Sequence, residues 1–263
     1  FFDGDRLKHL RAFSNGAQGS ILIDEKHLLK AFADEYQQPS KWDQPQFLYF
    51  NFQSPHFPYF HEGMPLGLTD RPLPRSEINA GNREQLQQTY WNAVQYSDQQ
   101  LGKLVASLKR DGVWDDSVVV ITGDHGEDLF EDGFLGHGHN INIRQNGTFM
   151  VTNRPGVAVD GPIGMSDYRA IILALLKGEK PDIPAKPVLM TVGDLERPTQ
   201  IGIAEGASNI TSLRLDTGEA CMVEKKQCAT VSSLGGDFKG RVDRLIRIWG
   251  SARWQNQAKP TRD

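Results

Sequence analysis

A short β-branched run that ends in a polar turn constrains the fold of this chain more than any other stretch. Residues 118–122 read VVVIT, and the residues that follow read GDHGED. The run is too short and too rich in β-branched side chains for a helix, so it predicts a buried strand. In open α/β sheets the binding crevice lies outside the carboxyl ends of the strands. Asp124 and His125 therefore stand where a functional site would be built.

The elements around this strand favour an α/β fold. A capping aspartate and helical spacing predict a short helix at residues 24–36, and apolar residues at the helical period predict a long helix at 83–110. Apolar runs bounded by turn residues predict strands at 46–52 and 148–152, and a helix is predicted at 166–177. This order predicts a mostly parallel sheet sandwiched by helices.

The pattern changes after about residue 185. Short strands with Thr-Gly and Gly-Gly turns precede a final helix near residues 237–249. We therefore predict two domains: an α/β part over residues 1–185, and a small antiparallel sheet with a helix over residues 186–263.

Composition and charge narrow the class of partner. The chain has 29 Lys and Arg against 33 Asp and Glu, which is not the basic excess that neutralising nucleic-acid phosphates requires. Nucleic acid is therefore not expected as a partner. No stretch approaches the roughly 18 apolar residues of a membrane span. Because the chain begins with Phe1 rather than methionine, we expect a missing upstream segment, where a signal or a membrane anchor would lie.

The two cysteines lie in two short predicted strands around a Glu-Lys-Lys turn. A turn centred on Glu224 and Lys225 would place Cys221 and Cys228 opposite each other, at a separation that a disulfide can bridge. A disulfide would suit an extracytoplasmic compartment. Connectivity cannot be read from sequence, so two unrelated reduced cysteines remain the alternative.

The Asp-His pair is a candidate metal site. Asp124 and His125 supply a carboxylate oxygen and an imidazole nitrogen, which suit zinc or manganese. Gly123 and Gly126 relax the backbone on either side, so that both side chains could reach one ion. The alternative is that Asp124 caps the next turn and His125 is an ordinary loop histidine.

Most of the histidines fall on segments that should converge at one edge of the sheet. For His137, between two glycines, we favour a role as metal ligand or as hydrogen-bond donor to a substrate oxyanion. His61 and His139 are interpreted as solvated loop residues. The acidic run at 127–132 is interpreted as a solvated face, except that Glu127 is close enough to orient a metal ligand without contacting the ion. Five of the seven histidines belong to this group: His56, His61, His125, His137 and His139.

Three stretches resemble motifs of the sulfatase-like members of the alkaline phosphatase superfamily. VVVITGDHGEDLFEDGFLGHG resembles their downstream metal-site motif, and SPHFPY resembles the upstream motif whose histidine contacts the transferred group. YWNAVQYSDQQLGKLVASL resembles the helix that joins the two. All three occur in the family order, between about residues 47 and 155. His-Phe-Pro-Tyr leans toward the membrane-anchored branch, which resembles lipoteichoic acid synthases.

The resemblance implies an α/β sandwich with a divalent metal site and a reaction at a sulfate or phosphate ester. Asp124 and His125 would be metal ligands, while His56 and His137 would bind the sulfuryl or phosphoryl oxygens. The ion would be zinc, manganese, calcium or magnesium. The substrate would be a sulfate or phosphate ester, such as a lipid headgroup or a glycan, and the enzyme a hydrolase or a transferase.

The chain departs from the family pattern upstream. Family members take an acidic metal ligand and a nucleophile from segments before the Asp-His motif, yet neither cysteine here begins Cys-x-Pro-x-Arg and no threonine precedes His56. We therefore expect those groups in the missing segment of an extracytoplasmic enzyme, periplasmic or at the cell surface, that is anchored to the membrane. The alternative is a catalytically degenerate binding or regulatory module of the inner membrane, against which the Asp124-His125 pair argues.

Overall fold

The computed structural model describes residues 25–36, 38–154, 161–194, 196–206 and 208–257. These residues form two units that divide between Ser117 and Val118, and each unit is described by itself. Asp24, the predicted cap of the first helix, lies outside the described residues. Among the residues described, no helix combines the length and the hydropathy that crossing a membrane requires.

Both helices predicted in the first unit are confirmed. Helix α1 spans Glu25–Glu35 and helix α2 spans Arg83–Arg110. Phe32 of α1 packs against the rings of Tyr36 and Phe50, with centroids 5.1 and 5.4 Å away. One face of α2 is buried, as its 3.6-residue apolar period requires. The buried apolar side chains of α2 are Leu86, Ala93, Tyr96, Leu104 and Leu108.

The strand predicted at residues 46–52 is wrong. This segment has no strand partner among the described residues. Its side chains alternate between exposed and covered: Phe47 and Tyr49 are 86% and 77% exposed, whereas Phe50 contacts Phe32. The aromatic-rich run bounded by turn residues, on which the prediction rested, carries no information about a neighbouring strand.

The second unit begins with short antiparallel pairs. Strand β1 spans Val120–Thr122, and the hairpin strands β2 and β3 span Asp128–Leu129 and Leu135–Gly136. A four-residue helix, α3 (Ile143–Asn146), leads into β4 (Met150–Thr152), which pairs antiparallel with β1. The helix predicted at 166–177 forms as a 3₁₀ turn followed by α4, Tyr168–Leu176.

The predicted mostly parallel sheet is wrong for the described residues, in which every strand pairing is antiparallel. Parallel neighbours need a long crossover connection, usually a helix. Between β1 and β4 the chain instead makes a hairpin and the single turn of α3, and so it returns in the opposite direction.

The small antiparallel sheet and the final helix are confirmed. Five strands pair in chain order, from β5 to β9, and α5 (Gly236–Gln257) packs on them. The strands are β5 (Val188–Gly193), β6 (Pro198–Ala204), β7 (Ile210–Arg214), β8 (Glu219–Met222) and β9 (Gln227–Thr230). Their shared core comprises Ile201, Ile203, Leu213, Ala220, Met222, Phe238, Val242 and Leu245. The domain boundary at residue 185 stays a prediction.

The two cysteines face each other across the last strand pair. Cys221 of β8 is the register partner of Cys228 of β9, and a disulfide with an S–S distance of 2.09 Å joins them. Of the two alternatives that the sequence left open, this is the bridged one.

Candidate metal centre

The turn after β1 presents Asp124 and His125, and close packing fixes its backbone. A Cβ atom on Gly126 would lie 1.9 Å from the carbonyl oxygen of Arg144 and 2.6 Å from that of Gly147. The Gly126 N–H donates to the carbonyl oxygen of Gln145 at 3.0 Å. The glycine is therefore needed for close approach between this turn and α3.

The β2–β3 hairpin brings the two ends of the motif together. Gly136 pairs with Asp128, so that Glu127 and His137 lie beside each other just outside the hairpin. Gly136 and Gly138 have φ angles of +87° and +76°, a region that side chains disfavour. His137 Nδ1 lies 2.9 Å from Glu127 Oε2. Two positive-φ glycines thus allow the loop to carry His137 back over Glu127.

Three side chains form the candidate centre. The imidazole rings of His125 and His137 stack with centroids 3.5 Å apart. One ligand atom from each of His125, Glu127 and His137 lies within 4.8 Å of the others. Nitrogen and carboxylate oxygen donors suit zinc and manganese, so the chemistry of this cluster fits the ions that the sequence predicted for the Asp124-His125 pair.

Hydrogen bonds at Nδ1 orient the imidazoles. His125 Nδ1 lies 2.8 Å from the Gly126 carbonyl oxygen, and His56 Nδ1 lies 2.9 Å from that of Phe57. A carbonyl oxygen can only accept, so Nδ1 carries the proton in each ring and the lone pair is on Nε2. Glu127 has the same effect on His137. Nε2 is therefore the nitrogen that each ring can offer to an ion.

Asp124 lies at the rim of this group. Its side chain is 88% exposed, and its Oδ2 atom is 3.6 Å from His125 Nε2. Two ligands of one tetrahedral zinc ion are about 3.4 Å apart, given bonds of about 2.1 Å. Asp124 and His125 thus have the spacing of two ligands on a shared ion, although the cluster of three contains Glu127 in place of Asp124.

His56 belongs to the first unit, where a buried carboxylate holds the chain leading into it. Glu25 is 1% exposed and accepts hydrogen bonds from the backbone N–H groups of Gln53 and Ser54, at 3.0 and 2.7 Å. The His56 N–H then donates to the Gln53 carbonyl oxygen at 2.9 Å. No local sequence pattern predicts this role for Glu25, because its partners lie 28 or more positions away.

The acidic run is only partly a solvated face. Asp128 is fully buried, because the hairpin turns it inward. Burial raises the pKa of the Asp128 carboxyl, although a hydrogen bond from the Asp132 N–H, 3.3 Å from Oδ1, lowers it. Of the two histidines interpreted as solvated, His139 is exposed, whereas His61 is half-buried, with Nε2 3.1 Å from Ser54 Oγ.

Comparison with known proteins decides the family. The sulfatase family model matches residues 12–151, more than half of the 263 residues. The chain belongs to the sulfatase family. The matched region contains the SPHFPY stretch, helix α2 and the complete His125–Glu127–His137 cluster of this sulfatase-family chain.

Individual relatives match parts of this sulfatase-family chain. The multifunctional alkaline phosphatase superfamily protein PehA of Trinickia caryophylli is 36% identical over 59 residues, which are 22% of this chain and 12% of PehA. BT4656, solved in complex with its substrate D-glucosamine-2-N,6-O-disulfate, has a TM-score of 0.50 at 11% identity, over 71% of this chain and 45% of that chain. This similarity shows an alkaline phosphatase/sulfatase-like fold.

A second solved structure is the phosphonate monoester hydrolase SpPMH from Silicibacter pomeroyi, with a TM-score of 0.42 at 18% identity, over 84% of this chain and 51% of that chain. This chain thus spans about half the length of the two solved structures and a much smaller share of PehA.

Proposed function

We propose that this chain supplies the downstream half of the active site of a metal-dependent enzyme that hydrolyses or transfers sulfate or phosphate esters. The observation that carries the proposal is the grouping, on the sulfatase-family motif, of the proposed ligand His125 with Glu127 and His137, while Asp124 Oδ2 lies 3.6 Å from His125 Nε2. The presence of both Asp124 and His125, a carboxylate and an imidazole at ligand spacing, argues against a degenerate binding module.

The metal ligands from this chain are His125, through Nε2, and Asp124, whose Oδ2 is at ligand spacing from it. The ion is zinc, manganese, calcium or magnesium, and when bound it neutralises charge on the non-bridging oxygens of the ester group. Glu127 holds Nδ1 of His137 and so aims Nε2 of that ring. His56 and His137 bind the sulfuryl or phosphoryl oxygens.

The nucleophile and a further acidic ligand are expected in a segment upstream of this chain. The protein would act outside the cytoplasm, in the periplasm or at the cell surface, anchored to the membrane through that segment. The Cys221–Cys228 disulfide supports this location, because structural disulfides persist in oxidising compartments. His-Phe-Pro-Tyr at residues 56–59 supports the branch that resembles lipoteichoic acid synthases.

Two classes of ester are proposed as substrate. The substrate of BT4656 is a sulfated sugar, which supports a sulfated glycan, and the resemblance to the membrane-anchored branch supports a phosphorylated lipid headgroup. Assay of the full-length protein on an aryl sulfate, an aryl phosphate and an aryl phosphonate would rank the transferred groups. Glycan and lipid esters of the preferred group would then decide between the two classes.

Metal analysis of the full-length protein tests the proposal. Asp124→Ala and His125→Ala should each lose bound metal and lower kcat/KM by about 100-fold or more, because each removes an ion ligand. The matched control is Asp216→Ala, at an exposed aspartate of the second unit whose side chain pairs with Arg214. Equal metal content in wild type and all three variants would refute the proposal.

The 263 residues alone should show negligible turnover, and robust hydrolysis by them would show that the nucleophile lies within this chain.

A further inference from the structure

A buried glutamine lies between the two histidine-bearing segments. Gln145 of α3 is 1% exposed. Its carbonyl oxygen accepts from the N–H of Gly126, which follows His125, at 3.0 Å. Its side-chain Oε1 accepts from the N–H groups of His139 and Asn140, at 2.9 and 3.0 Å. One residue thus ties the turn after β1 to the loop that follows His137.

Gln145 is itself held firmly. The side chain of Asn142 caps α3 by accepting from the Gln145 N–H at 2.8 Å, and the Asn142 N–H donates to Asn146 Oδ1 at 3.0 Å. The close approach at Gly126 leaves no room for the turn to move toward α3. The position of Gln145 is therefore fixed by contacts other than those it makes to the histidine segments.

The same loop is attached to the five-stranded sheet on its other side. Gln200 of β6 donates through Nε2 to Asn140 Oδ1 at 3.0 Å and accepts at Oε1 from the Ile141 N–H at 3.2 Å. Ile141 is fully buried and lies where a side chain on Gly202 would be, because a Cβ there would come within 2.8 Å of Ile141 Cγ2. The loop after His137 is thus hydrogen-bonded to α3 on one side and to β6 on the other.

We propose that Gln145 is a positioning residue, which sets the separation of His125 and His137 through the backbone of the segments that carry them. Gln145 acts on the N–H groups of Gly126, His139 and Asn140, each within three positions of one of the two histidines. Without the Oε1 acceptor, two N–H groups lose their partner and the loop is free to leave the stacked arrangement. This inference rests on the proposed function only where metal binding is the readout.

The test compares two variants of the full-length protein. Gln145→Met removes the acceptor at similar volume and introduces no charge beside the buried Asp128. Gln100→Met is the matched control, because Gln100 is a buried helical glutamine of the first unit. Manganese dissociation constants and amide hydrogen exchange by mass spectrometry are measured for each.

Gln145→Met should weaken manganese binding by about tenfold, the lower end of the usual effect of residues that support metal ligands. The amides of His139 and Asn140 should exchange about tenfold faster, while those of β6 and β7 keep their rates. Gln100→Met should leave manganese affinity and the exchange of these two amides unchanged.

The outcomes separate the two proposals. If the wild-type protein binds no metal, the proposed function fails, while exchange at His139 and Asn140 still tests Gln145. If Gln145→Met matches Gln100→Met in both measurements, the positioning role is overturned. If Gln145→Met does not fold, exchange in the wild-type protein decides. Protection of these two amides comparable to that of β6 supports the role, and exchange as fast as in an exposed loop overturns it.

Discussion

The carboxylate of Glu25 accepts hydrogen bonds from four donors of the segments that surround it, and its removal should destabilise the first unit. Oε1 accepts from the N–H groups of Gln53 and Ser54 and from Ser97 Oγ, at 3.0, 2.7 and 3.2 Å. Oε2 accepts from Ser54 Oγ. The perturbation is Glu25→Ala, which removes every acceptor at once and releases the chain that leads into His56.

The magnitude follows from which donors can find another partner. The Ser54 hydroxyl can turn to His61 Nε2, 3.1 Å away, and the Ser97 hydroxyl can rotate. The N–H groups of Gln53 and Ser54 cannot turn, and a buried donor without a partner costs about 1–3 kcal/mol, with the half-buried Gln53 N–H at the low end. Glu25→Ala should therefore lower the free energy of unfolding by about 3 kcal/mol, a large share of the roughly 5–15 kcal/mol of a typical protein.

Urea unfolding of the full-length protein, together with amide exchange at Gln53 and Ser54, measures the effect. Glu25→Gln keeps an oxygen at the Oε1 position and should cost only about 1–2 kcal/mol. Asp34→Ala, at an exposed acid of the same helix, should change stability by less than about 0.5 kcal/mol. The reasoning is refuted if Glu25→Ala costs no more than Glu25→Gln, or if the two amides keep their exchange rates in Glu25→Ala.

Three further predictions concern the second unit. Gly126→Ala should destabilise it by about 3 kcal/mol and abolish metal binding, because the new Cβ would lie 1.9 Å from a carbonyl oxygen; metal titration that matches wild type would contradict this. Replacing Cys221 and Cys228 by serine should cost about 2–3 kcal/mol in urea unfolding, as expected for a disulfide that closes a loop with a sequence separation of 7; an unchanged midpoint would refute it. Burial by itself would raise the pKa of Glu224, but hydrogen bonds, chiefly from Arg241, hold it below its ordinary value of 4.5. The stability that ionised Glu224 contributes is therefore present above pH 4.5 and lost as the pH falls through the lower folded-state pKa. Between about pH 3 and pH 6, the free energy of unfolding should fall less steeply with decreasing pH in Glu224→Gln than in wild type. Equal pH dependence in the two proteins would contradict the assignment.

The parts of the fold that repeat a local pattern could be predicted from the sequence. Helix α2 has the predicted bounds, Arg83–Arg110, because its buried face recurs at the helical period over 28 residues. The turn midway between Cys221 and Cys228 indicated that the two residues could face each other across a hairpin, although it left open whether a disulfide joins them. In both cases the deciding contacts lie within one element or one hairpin, so that sequence spacing encodes them.

Strand partners could not be predicted. Residues 46–52 form an apolar run bounded by turn residues, as a strand does, yet they have no strand partner among the described residues. Strand β1 was correctly located, although its side chains are half-buried or exposed rather than buried as predicted. Its antiparallel partner β4 follows α3, a helix of four residues that is too short to show a period. Whether neighbouring strands run parallel is decided by the connection between them, and here the connection is irregular.

The candidate site was found through its motif residues, and its supporting contacts were missed. Asp-His and Gly-His-Gly indicated His125 and His137, and Glu127 lies where it can orient His137. Gln145 stands in the polar run NIRQNG with no periodic or motif signal, and Glu25 acts on residues 28 and 29 positions away. Such contacts arise from tertiary packing, which a single sequence does not display.

The contact between Ile141 and Gly202, which has no side chain, limits which substitutions this protein can accept during evolution. Replacing the five-stranded sheet with that of a related protein, or truncating the chain before β5, would remove the surface that the loop after His137 contacts. Substitutions at positions 141, 200 and 202 are therefore expected to arise together in descendants, since a larger side chain at position 202 requires a smaller one at 141. The C-terminal sheet supplies none of the proposed ligands, yet the loop that follows His137 packs on it, so the sheet and the site are expected to evolve as one unit.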